Sequence, residues 1–142
     1  MNDYSDVLYL TAAMVIYSLL TINTAKSFLS TSENVIRADV EYRTIVKAQD
    51  EIDEVKLIPR EDENRLNPNH IDYMFVNYPV TSVESFGTNN QYSDTYIISG
   101  QSEYIDEGDP LVRRYRVTIT VQNQSITPST EVNLIFIKSF QI

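Results

Sequence analysis

The 142-residue chain contains no cysteine, one histidine and three glycines, and each shortage removes a class of chemistry. Without cysteine there is no disulfide, no thiolate nucleophile and no thiolate metal site. A phosphate-cradling loop needs clustered glycines, whereas Gly87, Gly100 and Gly108 stand apart. A Ser–His–Asp arrangement would have to recruit His70, but no elbow motif surrounds any serine. The stretch Asn67-Pro68-Asn69-His70 reads instead as a turn carrying an exposed histidine. Basic residues are also scarce, 11 Lys and Arg against 20 acids, giving a net charge of −9 and a pI near 4.4. They are scattered, with Arg113, Arg114 and Arg116 the densest group. A surface that tracks nucleic-acid phosphates needs clustered Lys and Arg, so no nucleic-acid binding is expected.

Acids are plentiful, yet Asp50–Glu54 and Glu61–Glu63 read as a solvated helix face and a loop. Glu103, Asp106, Glu107 and Asp109 offer oxygen ligands around Gly108 but lack the spacing of a known calcium loop. Asn123-Gln124-Ser125 is a formal glycosylation sequon. The expectation is therefore a non-enzyme with no catalytic residue, no cofactor and no metal.

Helix breakers are missing from one half of the chain. The first proline is Pro59 and the first glycine Gly87, so residues 1–58 run without either. Within them, Val7–Ala25 is 19 residues without a charge, bounded by Asp6 and Lys26. About 20 apolar residues at ~1.5 Å each span a hydrocarbon core, and Tyr4 and Tyr9 suit an interfacial position. The start, Met1-Asn2-Asp3-Tyr4-Ser5-Asp6, carries acid where a signal peptide carries base. Burial inside a soluble fold would require the rest of a small chain to wrap this helix on every side. The reading that fits is a helix lying in a membrane or among identical helices, with Val7, Leu8, Leu10, Met14, Val15, Ile16, Leu19, Leu20 and Ile22 forming the contact.

The helical pattern continues past Lys26. Val35, Ala38, Tyr42, Ile45, Ala48, Ile52 and Val55 recur in steps of three and four, and are expected to pack on the rest of the protein. Thr21, Asn23, Thr24 and Ser27 form a polar patch where the helix is expected to loosen. Beyond Ile58, strand signals follow at Ile71–Tyr78, Thr95–Ser99, Arg114–Gln122 and Val132–Ile137. The last is apolar at nearly every position and is expected to be covered on both sides. These readings combine into an α+β fold. Residues 1–57 form a long helix, hydrophobic over 7–25 and amphipathic over 27–57. Residues 58–142 form a head built on an antiparallel sheet of about four strands.

This order of elements resembles the type IV pilins, minor pilins and secretion pseudopilins. The resemblance is carried by Val7–Ile22 as the apolar half of a helix and Ser27–Lys56 as its amphipathic half. Arg43–Val55, with Ala48 and Gln49 followed by acids, looks like the pilin helix where it meets the head. Archaeal pilins, which join a helix to a β-sandwich, are similar in outline. The resemblance implies a subunit anchored in the membrane before assembly, made with a short basic leader that is removed. It would then form a homopolymer at the cell surface through its N-terminal helices. It also implies a carboxylate near the amino terminus that pairs with a neighbour's terminal amine. The family's glutamate has no counterpart here, so Asp3 or Asp6 takes that role; the family's C-terminal disulfide has no counterpart either. The alternative is a single-pass, membrane-anchored binding module that does not polymerise. Lys26 and Arg37 follow the apolar helix while only acids precede it, which would place that module's C-terminal domain in the cytoplasm if no leader is removed.

Overall fold

A computed structural model describes residues 3–58, 70–105 and 111–141. One helix, α1, runs over Asp3–Lys56, and a short helix, α2, covers Ile71–Met74. Four strands follow: β1 (Val80–Phe86), β2 (Tyr92–Ile105), β3 (Val112–Asn123) and β4 (Thr130–Gln141). They form one antiparallel sheet in the order β1-β2-β3-β4, so each strand neighbours its successor in the chain. The architecture is α+β. The chain divides into two compact units, Met1–Ala38 and Asp39–Ile142.

In the first unit α1 is unbroken. No loosening occurs at Thr21–Thr24, because the hydroxyls there join the helix rather than compete with it. Thr21 donates to the Tyr17 carbonyl at 2.8 Å and Thr24 to the Leu20 carbonyl at 2.9 Å. With no Gly or Pro present, nothing interrupts the backbone ladder.

The second unit contains the core. Ala48, Ile52 and Val55 of α1 and Ile71 of α2 pack with Tyr96 and Ile98 of β2, with Tyr115, Val117, Ile119 and Val121 of β3, and with Phe140 of β4. The alternation of β3 explains this placement: inward residues are buried, and their neighbours face outward. The register sets Ile119 opposite Leu134 and Val117 opposite Phe136, so the apolar face continues across the sheet.

Four sequence expectations change here. The segment Ile71–Tyr78 is not a strand. Ile71 is fully buried as the first residue of α2, and His70 caps that helix with Nδ1 accepting from the Asp72 N–H at 3.0 Å. His70 is accordingly a buried capping residue, 6.2 Å centroid to centroid from the Tyr115 ring, and not an exposed loop residue. The strand expected at Thr95–Ser99 does not end before Gly100 but runs over Tyr92–Ile105. It passes through Gly100 because the missing side chain leaves room for the Phe75 ring, which a Cβ at Gly100 would overlap. Finally, β4 is covered on one face only. It is an edge strand, and Ile135 and Ile137 face outward while Val132, Leu134 and Phe136 face the core.

Candidate assembly surface

Every described residue from Tyr4 to Ala38 is exposed except Ser32, which is half-buried. The nine apolar residues expected to make the helix contact, Val7 to Ile22, are each between 50% and 69% exposed. The helix is long and apolar enough to cross a membrane, and none of its most apolar stretch is buried. This is a large apolar area that the chain itself leaves uncovered, and such area marks a site for lipid or for other protein.

The polar atoms of the segment are adapted to the same setting. Thr11 donates to the carbonyls of Val7 and Leu8 at 3.0 and 2.9 Å, and Ser18 to that of Met14 at 2.8 Å. Together with Thr21 they are the only residues between Val7 and Ile22 that are neither apolar nor tyrosine. Each of these three hydroxyls is satisfied within its own helix, so none of them requires water. In an apolar medium an unsatisfied hydroxyl would cost several kcal/mol, on the order of 2–7 by the usual transfer scales. A shallow groove lined by Tyr17, Leu20, Thr21, Thr24, Ala25 and Phe28 marks the end of this stretch.

Of the acids assigned to the terminal amine, Asp6 lies exposed in the first turns of α1. Met1 and the side chain of Asp3 lie outside the described residues. An acid early in a helix is favourable in its own right, since the first turn presents unpaired N–H groups.

The helix face that meets the sheet differs from the expected stripe. Ala48, Ile52 and Val55 are in the core, but Val35, Ala38, Tyr42 and Ile45 are exposed. The buried face of α1 is instead Val40, Thr44, Ala48, Glu51, Ile52 and Val55. The reason is geometric. At about 100° per residue, Tyr42 lies about 140° and Ile45 about 80° around the helix from Val55. Thr44 and Glu51 interrupt the apolar pattern, which concealed the true face. Thr44 donates to the Val40 carbonyl at 2.7 Å, and Glu51 accepts from the Tyr78 hydroxyl at 2.7 Å, so both are buried without an open polar atom.

Ion pairs fix this face on the sheet. Arg43 Nε lies 2.8 Å from Asp94 Oδ2 while its Nη1 holds Asp39 at 2.9 Å, and its guanidinium sits 4.0 Å above the Phe86 ring. Lys47 reaches Glu84 at 2.7 Å. Burial opposes its charge, but the hydrogen bond to Glu84 and the nearby acids outweigh this and raise its pKa. At the end of α1, Lys138 Nζ donates to the Lys56 carbonyl at 2.6 Å, and burial lowers that lysine's pKa.

No family model, curated protein or solved structure matches this chain.

The other sequence candidates are structural where they are described. Asn123 of the sequon is fully buried, with Oδ1 accepting from the Ser125 N–H at 2.8 Å. Glu103 pairs with Arg116 at 3.0 Å across β2 and β3, while Asp106, Glu107 and Asp109 lie outside the described residues. Among the described residues no group of three or more His, Asp or Glu side chains could hold a metal ion.

Proposed function

We propose that this chain is a structural subunit of a pilus-like filament at the cell surface, polymerising through Val7–Ile22. The observation that carries the reading is the bare apolar half of α1. Its serine and threonine hydroxyls are closed on their own backbone, and its continuation packs on a folded sheet. Fully burying an aliphatic side chain contributes about 1.5–3 kcal/mol, so nine half-exposed ones supply on the order of 10 kcal/mol toward association, before the entropy of association is subtracted. Membrane residence covers the same surface before assembly. In a bundle of such helices a free terminal amine ahead of α1 would be a cation in an apolar setting and would require a carboxylate. Asp6 or Asp3, from the same or an adjacent subunit, supplies it.

The competing reading is a membrane-anchored module that never polymerises, favoured by Lys26 and Arg37 on the C-terminal flank. Electron microscopy of producing cells decides between them. Filaments containing this chain are expected, and Val15→Asp or Leu19→Asp should abolish them while the head stays folded, because an unpaired charge among apolar helices is costly. Intact filaments from both variants overturn the reading. A wild-type chain that stays unpolymerised in the membrane, with its head protected from external protease, establishes the anchor instead.

A further inference from the structure

The sheet has two edges, and they are built differently. β1 is seven residues long, and Glu84 on its inner side carries a charge held by Lys47 at 2.7 Å. A short strand with an inward-pointing charge is a guarded edge. β4 is twelve residues long and pairs with β3 without a bulge from Thr130 to Gln141. Its centre, Val132-Asn133-Leu134-Ile135-Phe136-Ile137, contains no charge, glycine or proline. Six such residues on an open edge let a strand pair with a copy of itself. Lys138 does not guard this edge, because its Nζ is tied to the Lys56 carbonyl at 2.6 Å. Among the described residues no strand lies on the far side of β4, and the outward-facing Ile135 and Ile137 are 62% and 58% exposed.

We infer that the free edge of β4 is a docking site for β4 of a second copy of this chain, joined antiparallel about a two-fold axis into one eight-stranded sheet. The contact is separate from the helix association proposed above and does not rest on it. Three arguments select a second copy as the occupant. The first is register. A two-fold axis through an antiparallel pair sets one residue against itself and keeps every side chain on its own face. Centred on Phe136, it matches Glu131–Gln141 over the whole length of both strands. Ile135 then lies opposite the second copy's Ile137, twice over, so the exposed isoleucines meet as cross-strand pairs. The second argument is charge. β4 carries one acid and one base, Glu131 and Lys138, in a chain of net charge −9, so it is a neutral place for two acidic copies to meet. The same register sets Glu131 opposite Gln141 and Lys138 opposite Leu134, and no like charges face each other. The third is size. Pairing over this length gives about ten backbone hydrogen bonds, the number a standard interface carries. At ~3.4 Å per residue and a sheet ~10 Å thick, the two edges together bury about 750 Å², the size of a weak contact. Such a contact forms where copies are concentrated, as on one membrane. A two-fold contact uses each edge once and closes at the dimer, whereas β4 on β1 of the next copy would run on without end.

The absence of cysteine makes the test direct. Ile135→Cys, Ile137→Cys and, on the other edge, Val83→Cys are each made in the full chain, all three at exposed positions. The proteins are oxidised with copper–phenanthroline in detergent micelles, singly and mixed in pairs, and resolved on non-reducing gels. The mixture of Ile135→Cys with Ile137→Cys should give several-fold more covalent dimer than either protein alone. Val83→Cys should remain monomeric, alone and in mixtures. A mixture that crosslinks no better than its components, or a dimer formed between Ile135→Cys and Val83→Cys, overturns the inference. The crosslink should persist when Val15→Asp is added to both partners, since that change removes helix association and leaves the head folded; its loss there overturns an independent edge contact. Wild-type filaments whose heads give no β4 crosslink remove this edge and leave the filament reading standing. A β4 crosslink in a chain that forms no filament keeps the edge and removes the filament.

Discussion

Arg43 and Asp94 meet at 2.8 Å with the carboxylate side chain only 3% exposed, and this pair ties α1 to β2. Asp94 also accepts from the Tyr96 hydroxyl at 3.1 Å, so its charge is held by two partners at the margin of the core. Removing the cation leaves a buried carboxylate with one neutral donor.

Arg43→Ala should therefore destabilise the head by about 2–3 kcal/mol, below the usual 3–5 for a buried pair because Arg43 itself is a quarter exposed. Urea denaturation followed by circular dichroism measures it. Arg116→Ala, which breaks the exposed pair with Glu103, should change stability by less than about 0.5 kcal/mol. Equal effects of the two substitutions would contradict the burial argument.

Two phenols should resist alkali. Burial, then the hydrogen bond to Glu51, raises the Tyr78 pKa above its ordinary value of 10.0. Burial and the neighbouring Asp94 do the same for Tyr96. A raised folded-state pKa means the fold favours the neutral phenol. Below pH 10 both states of the chain hold these protons and the stabilisation is intact. Above pH 10 the unfolded chain releases them first, so stability falls as pH rises. Ultraviolet titration of the ten tyrosines should show at least two that ionise only as the head unfolds. Tyr78→Phe and Tyr96→Phe should each remove one from that late group. Complete ionisation near pH 10 with the head still folded would rule this out.

Gly100 and Phe75 share one volume between β2 and the turn after α2. Gly100→Ala should cost about 1–3 kcal/mol, the usual penalty for overpacking. Pairing it with Phe75→Leu should recover part of that loss, whereas two independent sites would simply add. Thermal melts of the single and double variants separate these outcomes.

The sequence announced α1 by a run of 58 residues without Gly or Pro, and β3 by a clean two-residue alternation. It concealed elements whose faces mix chemistry. In β1 the side facing α1 carries Glu84, whose partner Lys47 is distant in the chain, so no alternation of apolar and polar residues marks the strand. The α2 segment looked like a strand because aromatic and β-branched residues follow His70, and a helix of one turn is too short to show a period. The face of α1 that meets the sheet was hidden by Thr44 and Glu51, polar residues buried because the backbone and Tyr78 satisfy them. The apolar surface of Val7–Ile22 was legible in full, since it depends on composition and not on a partner elsewhere in the chain.

The sequon at Asn123 makes the last prediction. Glycan transfer occurs at the side-chain nitrogen, and here Asn123 is fully buried with Nδ2 shielded inside the fold. Its Oδ1 turns the chain by accepting from the Ser125 N–H, and Ser125 Oγ in turn accepts from the Thr95 N–H at 3.0 Å. The motif thus closes the end of β3 against β2, a role that needs Asn and Ser at this spacing without any sugar. Folded protein from a glycosylating host should carry an unmodified Asn123 by mass spectrometry. Ser125→Ala should change the mass by the substitution alone while costing about 1 kcal/mol for the lost hydrogen bond. Asn123→Asp should cost more, at least about 2 kcal/mol, because a carboxylate oxygen would replace the shielded nitrogen, which has no hydrogen-bond partner. A glycan found on Asn123 of the folded head, or an Asn123→Asp variant as stable as the parent, would show that this turn opens to solvent.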